Sequence, residues 1–222
     1  MTTRSISRRK FLKTAGIAAG ASTVACCGLG YAATQGTKTA PAVEVKTPSF
    51  VFGKEESMSK RILVTYATRT GSTVEVAAAI GETLGARGFS VDVKPIKENP
   101  AASDYQAVLV GSAVNGAKWL PEAVEFVKNH RQELNQVPVA LFSVHIMNLG
   151  DDEKSRQNRL AYLNDVRPLL SPRAEGFFAG IGMNPDEQSA IIRWVYRTFK
   201  IGPEGDCRDW DKIRGWAQTV LA

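Results

Sequence analysis

Acidic residues are missing from the first 33 positions, where Arg4, Arg8, Arg9, Lys10 and Lys13 stand without a single Asp or Glu. These five cations supply most of the formal net charge of +6, so the rest of the 222-residue chain is close to neutral. A near-neutral chain lacks the one-sided basic field that a phosphate backbone requires, which sets nucleic acid aside as a partner. Cysteine is scarce as well. Of 3 in the chain, Cys26 and Cys27 are neighbours near the N-terminus and Cys207 stands apart, so no disulfide framework is available. Histidine is limited to His130 and His145. No Cys/His/Asp/Glu grouping has metal-ligand spacing and no acid–base dyad is visible, so no metal centre is expected.

What is present begins with a targeting segment. Residues 1–13 are basic, and Thr14 to Ala33 are uncharged and rich in Ala and Gly. Ser7-Arg8-Arg9-Lys10-Phe11-Leu12-Lys13 resembles a twin-arginine export signal, an address read by the export machinery. About 20 small or apolar residues also suffice to span a bilayer if they are kept, so an uncleaved anchor is the alternative. Thr23-Val24-Ala25-Cys26 further resembles a lipoprotein processing site, with cleavage near Tyr31-Ala32-Ala33 as the plainer outcome. Residues 34–59 show no periodicity and contain Pro41 and Pro48, and they read as a flexible linker. Met58-Ser59-Lys60 reads as a second beginning, which puts one folded domain at residues 60–222.

Within that domain short β-rich runs alternate with longer helical ones. Strands are predicted at Arg61–Tyr66, Ser90–Val93, Ala107–Gly111, Val139–Val144 and Gly176–Gly180. Helices are predicted at Ser72–Gly85, Pro121–Leu134, Glu153–Leu163 and Asp209–Leu221, the last opened by Asp209 as N-cap. Such alternation gives an α/β doubly wound parallel sheet with helices on both faces, and ligands of these sheets sit beyond the C-terminal strand ends.

The first strand runs straight into Thr68-Arg69-Thr70-Gly71-Ser72-Thr73 at the start of a helix. Backbone N–H groups at a helix N-terminus favour an anion, Gly71 permits close approach, and the hydroxyls donate to phosphate oxygens without a lysine. The loop has neither the G-x-G-x-x-G of a dinucleotide site nor the Gly-Lys-Ser/Thr of a triphosphate loop. A capped helix start is the plainer alternative, although capping needs one hydroxyl and this loop offers four.

Tyr66-Ala67-Thr68-Arg69-Thr70-Gly71-Ser72-Thr73 resembles the FMN-phosphate loop of the flavodoxin superfamily. The likeness runs from about Arg61 to Ala222. Val110-Gly111-Ser112-Ala113-Val114, Phe142-Ser143-Val144, Ala179-Gly180 and Asp209-Trp210 further resemble the menaquinone-dependent protoporphyrinogen IX dehydrogenase group. The resemblance implies a five-stranded flavodoxin-like sheet of order 2-1-3-4-5 and FMN as cofactor. It assigns the phosphate to Thr68, Arg69, Thr70, Gly71, Ser72 and Thr73. The ring then falls to two loops, Ser112, Ala113, Val114, Asn115 and Gly116 with Trp119, and Ser143, Val144, His145, Ile146 and Met147. Trp119 is either a ring-stacking residue or a core residue opening the Pro121 helix. His145 is a candidate for proton transfer near the flavin or substrate, with a satisfied surface histidine as the plainer reading. His130 reads as structural and Cys207 as an unpaired loop residue.

Asp186–Lys200 places Ile191, Val195 and Phe199 at helical spacing, with Arg193, Arg197 and Lys200 on another face. This amphipathic helix suits either a membrane surface or packing on the sheet. The function expected is an FMN oxidoreductase on the outer face of a cytoplasmic membrane, passing electrons from a reduced donor, a porphyrinogen among the candidates, to a quinone. The alternatives are a tethered electron carrier without a substrate of its own, whose partner is a redox protein, and a fold that no longer binds flavin.

Overall fold

Arg61–Ala67 is apolar from Ile62 to Val64 without alternation, as suits a strand covered on both faces. The computed structural model describes residues 45–53, 60–184, 186, 189–199 and 202–221. In it this run is strand β2. Strand β1 is Phe50–Phe52, β3 Ser90–Pro95, β4 Ala107–Asn115, β5 Lys118–Trp119, β6 Val139–His145 and β7 Ala174–Ala179. Helices α1 Ser72–Ala86, α2 Pro121–Asn129, α3 Arg131–Leu134, α4 Glu153–Ala161, α5 Ala190–Phe199 and α6 Trp210–Thr219 fall between or after them. The export signal and Cys26 lie outside the described residues.

The sheet order is β1-β3-β2-β4-β6-β7, with β5 paired only to β4. β2 pairs in parallel with β3 and β4, β4 with β6, and β6 with β7. Those five strands, counted along the chain, stand in the order 2-1-3-4-5, so the doubly wound flavodoxin-like sheet is present. Ile62, Val64, Tyr66, Val91, Leu109 and Phe142 pack with α1 and α6 on one face. Leu63, Val108, Val110 and Leu141 pack with α2 and α3 on the other. Asp209 caps α6 by accepting the Lys212 N–H at 2.9 Å, and Ile213 and Ala217 are buried as their spacing predicts.

Three local differences from the sequence-based expectation matter for the site. The stretch read as a linker contains β1, which pairs antiparallel with β3 from Phe50↔Val93 to Phe52↔Val91. A three-residue strand between Pro48 and Gly53 is too short for a period-2 pattern, and its partner lies some 40 positions downstream. The predicted Pro121–Leu134 helix breaks at His130, whose ring is held by Asn99 Oδ1 at 2.9 Å and Glu133 at 3.3 Å, a structural role as expected. Finally, β4 outruns its prediction and folds back onto β5 through Gly116 and Ala117, at φ 59° and 60°. Two successive positive φ angles are those of a type I′ hairpin turn.

Candidate cofactor site

The loop between β2 and α1 is built for an anion. Gly71 is the N-cap of α1 with φ 99°, a left-handed value that favours glycine, and no side chain caps the helix. The free N–H groups of the first turn and the helix dipole therefore point outward. Thr68 Oγ1 accepts the Gly71 N–H at 3.0 Å and shapes the turn. Thr73 is fully buried in the first turn of α1, and its Oγ1 has no hydrogen-bond partner. Capping does not use these hydroxyls, so the plainer reading of the loop fails on geometry.

Arg69, Thr70 and Ser72 join Ala113, Val114, Asn115, Val144, His145 and Ile146 in one open cleft of about 370 Å³ at the C-terminal ends of the parallel strands. Gly180, Ile181, Gly182 and Met183 complete its lining. A Cβ on Gly180 would stand 3.2 Å from Ser72 Oγ and 3.1 Å from Val144 Cγ1, so the loop after β7 closes tightly on the cradle. The volume falls in the range of cofactor clefts. A left-handed glycine at an uncapped helix start, an unsatisfied buried hydroxyl and an apolar slot between two loops together fit FMN, phosphate at one end and ring at the other.

Several predicted residues serve the walls and do not face the cleft. Trp119 is 3 % exposed in the core under α2, and its Nε1 donates to Ser143 Oγ at 2.8 Å. The stacking alternative is thereby corrected: the β4–β5 hairpin turns the indole inward. Ser143 is buried beneath it. Ser112 Oγ accepts the Leu120 N–H at 3.0 Å and donates to Ala113 O at 2.8 Å, tying the start of α2 to the end of β4. Gly116 lies at the exposed hairpin tip and Met147 is 50 % exposed in the loop after β6.

His145 is buried, at 4 % exposure, which corrects the reading as a surface histidine. Its Nδ1 lies 2.7 Å from Met147 O. A carbonyl only accepts, so Nδ1 carries the proton and Nε2 is a bare lone pair, buried without a partner. Burial, with Arg159 and Lys212 nearby, pushes the imidazole down to about 4. It is neutral at physiological pH and holds the loop through Nδ1–H. The same loop is stapled by Arg159, which donates to Asn148 O and Gly150 O at 2.6 Å, and by the Tyr162 hydroxyl, which receives Asn148 Nδ2–H at 2.6 Å. Cys207 is a free, half-buried cysteine.

Sequence reasoning missed Ile181, Gly182 and Met183. The end of the fifth parallel strand was the available signal, since every strand end in such a sheet borders the ligand.

Residues 63–184 match the family model described as Flavodoxin domain. The chain is 25% identical over 183 residues to the protoporphyrinogen IX dehydrogenase [quinone] of Escherichia coli K12, across 72% of this chain and 94% of that protein. It is 28% identical over 181 residues to the protein of the same name from Leishmania major, across 75% and 77%. Among solved structures, a short-chain flavodoxin associated with a bacterial microcompartment is 13% identical with a TM-score of 0.46, covering 73% of this chain and 97% of the other.

Proposed function

The chain belongs to the flavodoxin-domain family, and from that premise we propose that it is an exported, membrane-associated flavoprotein passing electrons from a reduced donor to a quinone. FMN is the cofactor its cleft fits. Once bound, FMN supplies the redox chemistry, and the protein holds it, tunes it and selects what approaches the ring. Arg69, Thr70 and Ser72 face the phosphate end, with Thr73 buried behind them. Ala113, Val114 and Asn115 form one wall, and Val144, His145 and Ile146 form the other. His145 stays neutral and fixes the second wall through Met147 O.

The observation that carries the reading is the apolar rim of the cofactor cleft. Ile181 and Met183 line the cleft and are exposed, and Met147 and Leu149 are exposed in the loop leaving β6. An apolar rim suits a lipid-soluble acceptor better than a charged protein. The export-like N-terminus supports placement at a membrane, and relatives named for a quinone support the acceptor. A porphyrinogen is the first donor to try. The tethered-carrier reading is favoured by one feature: apart from the neutral His145, the cleft lining among the described residues holds no acid–base pair for a substrate.

The test is to purify the full chain without added flavin, record its absorption, identify the released flavin, and assay porphyrinogen oxidation with a menaquinone analogue. Flavin bands, released FMN and turnover are expected. A colourless protein that fails to take up FMN overturns both redox readings, and a yellow protein that turns over neither partner leaves the carrier. Protease added to spheroplasts should reach the exported chain; complete protection would refute placement on the outer face.

A further inference from the structure

Three buried hydroxyls lack a hydrogen-bond partner: those of Thr73 in the cradle, Thr65 in β2, and Thr47, just upstream of β1. The segment Val45–Ser49 that carries it has no counterpart in the β2–α1 phosphate motif, yet it is fastened at several points. Tyr66, on the strand that leads into the cradle, donates its hydroxyl to Pro48 O at 2.6 Å. Ser49 donates to Glu98 Oε1 at 2.7 Å. Phe50 then enters the sheet opposite Val93.

The direction of β1 decides where this strap lies. Because β1 is antiparallel to β3, the residues before Phe50 stand at the C-terminal ends of the parallel strands, on the side of the cleft. Exposure alternates along the strap, with Val45 and Thr47 half-buried and Lys46 and Pro48 exposed, so Val45 and Thr47 share the inward face. That face meets the cradle directly, since a Cβ on Gly71 would be 3.7 Å from Val45 Cγ1.

We propose that the strap is part of the cofactor site and that Thr47 Oγ1 donates a hydrogen bond to the phosphate group held by the β2–α1 loop. A buried hydroxyl with no partner is costly, and a phosphate dianion beside it removes that cost by accepting a charge-assisted bond. The inference rests on FMN as the cofactor. It adds a ligand from outside the phosphate motif and ties cofactor retention to docking of the segment that follows the export signal.

The experiment titrates flavin-free full chain with FMN and with riboflavin, which lacks the phosphate, following quenching of flavin fluorescence for the wild type, Thr47→Ala and Thr47→Ser. Thr47→Ala is expected to weaken FMN about tenfold, the usual effect of losing a hydrogen bond to a charged group, and to leave riboflavin affinity unchanged. Thr47→Ser keeps the hydroxyl and restores FMN affinity. Equal losses for FMN and riboflavin would assign Thr47 a merely structural role and overturn the proposal, as would an unchanged FMN affinity in Thr47→Ala. A wild-type chain that takes neither flavin removes the cofactor reading itself, and this inference with it.

Discussion

At the scale of single residues, His145 couples loop geometry to pH. Its folded pKa of about 4 lies below the ordinary imidazole value of 6.5, so between those values the unfolded chain binds the extra proton. Stability from this group is complete above about pH 6.5 and declines as pH falls toward 4, by on the order of 3 kcal/mol. His145→Asn keeps an N–H for Met147 O and removes the titration. Urea unfolding at pH 7 and pH 4.5 should show a smaller acid loss in the variant than in the wild type; equal losses would refute a buried neutral imidazole. The burial of His145 was not legible beforehand, because a strand-end residue looks alike in sequence whether the next loop folds over it or away. Trp119 was equally undecided until the β4–β5 hairpin placed its Nε1 against Ser143.

At the scale of elements, β1 depends on two glycines of α1. A Cβ on Gly81 would come within 2.5 Å of Val93 Cγ2, and one on Gly85 within 2.9 Å of Phe52 Cβ and 3.0 Å of the Gly53 nitrogen. Replacing a mid-helix glycine by alanine ordinarily favours the helix by about 1 kcal/mol. At Gly85 the clash is with backbone-attached atoms of β1, which outweighs the propensity, so Gly85→Ala should loosen the strand. Hydrogen exchange is expected to accelerate at Phe50–Phe52 and stay slow in β4 and β6, and unchanged protection of β1 would refute the close packing. A protein begun at Met58 would lose this strand and the strap before it, although Met58 reads as a natural start. The parallel strands and their helices were legible because both faces of each strand are covered, which writes long apolar runs into the sequence. The edge strand was not, since its pairing is antiparallel, remote and three residues long.

At the scale of the whole molecule, large apolar side chains stand exposed on several elements. Beyond the cleft rim, Ile191 and Trp194 on α5 are 76 % and 63 % exposed, and no helix among the described residues is long and apolar enough to cross a membrane. On the membrane association proposed above, α5 would make surface contact. Trp119 is buried and Trp210 and Trp216 are partly buried, so Trp194 reports the exposed face. With the full chain bound to phosphatidylcholine vesicles, doxyl-labelled lipid should quench tryptophan emission, and Trp194→Phe should remove most of that quenching. A vesicle-bound chain whose emission ignores the label would turn α5 away from the bilayer.

The sequence by itself determined the doubly wound sheet and the hydroxyl-rich turn between its first strand and first helix. Strand runs, helix periods and a hydroxyl-rich turn are local properties that the chain cannot express without showing them. Only the tertiary structure decided which loop residues face the cleft, that His145 is buried and neutral, and that a strap from the supposed linker rests on the cradle. Each of these turns on contacts between segments far apart in the chain, where a hairpin turn or an edge pairing of a few residues redirects side chains without altering the local pattern.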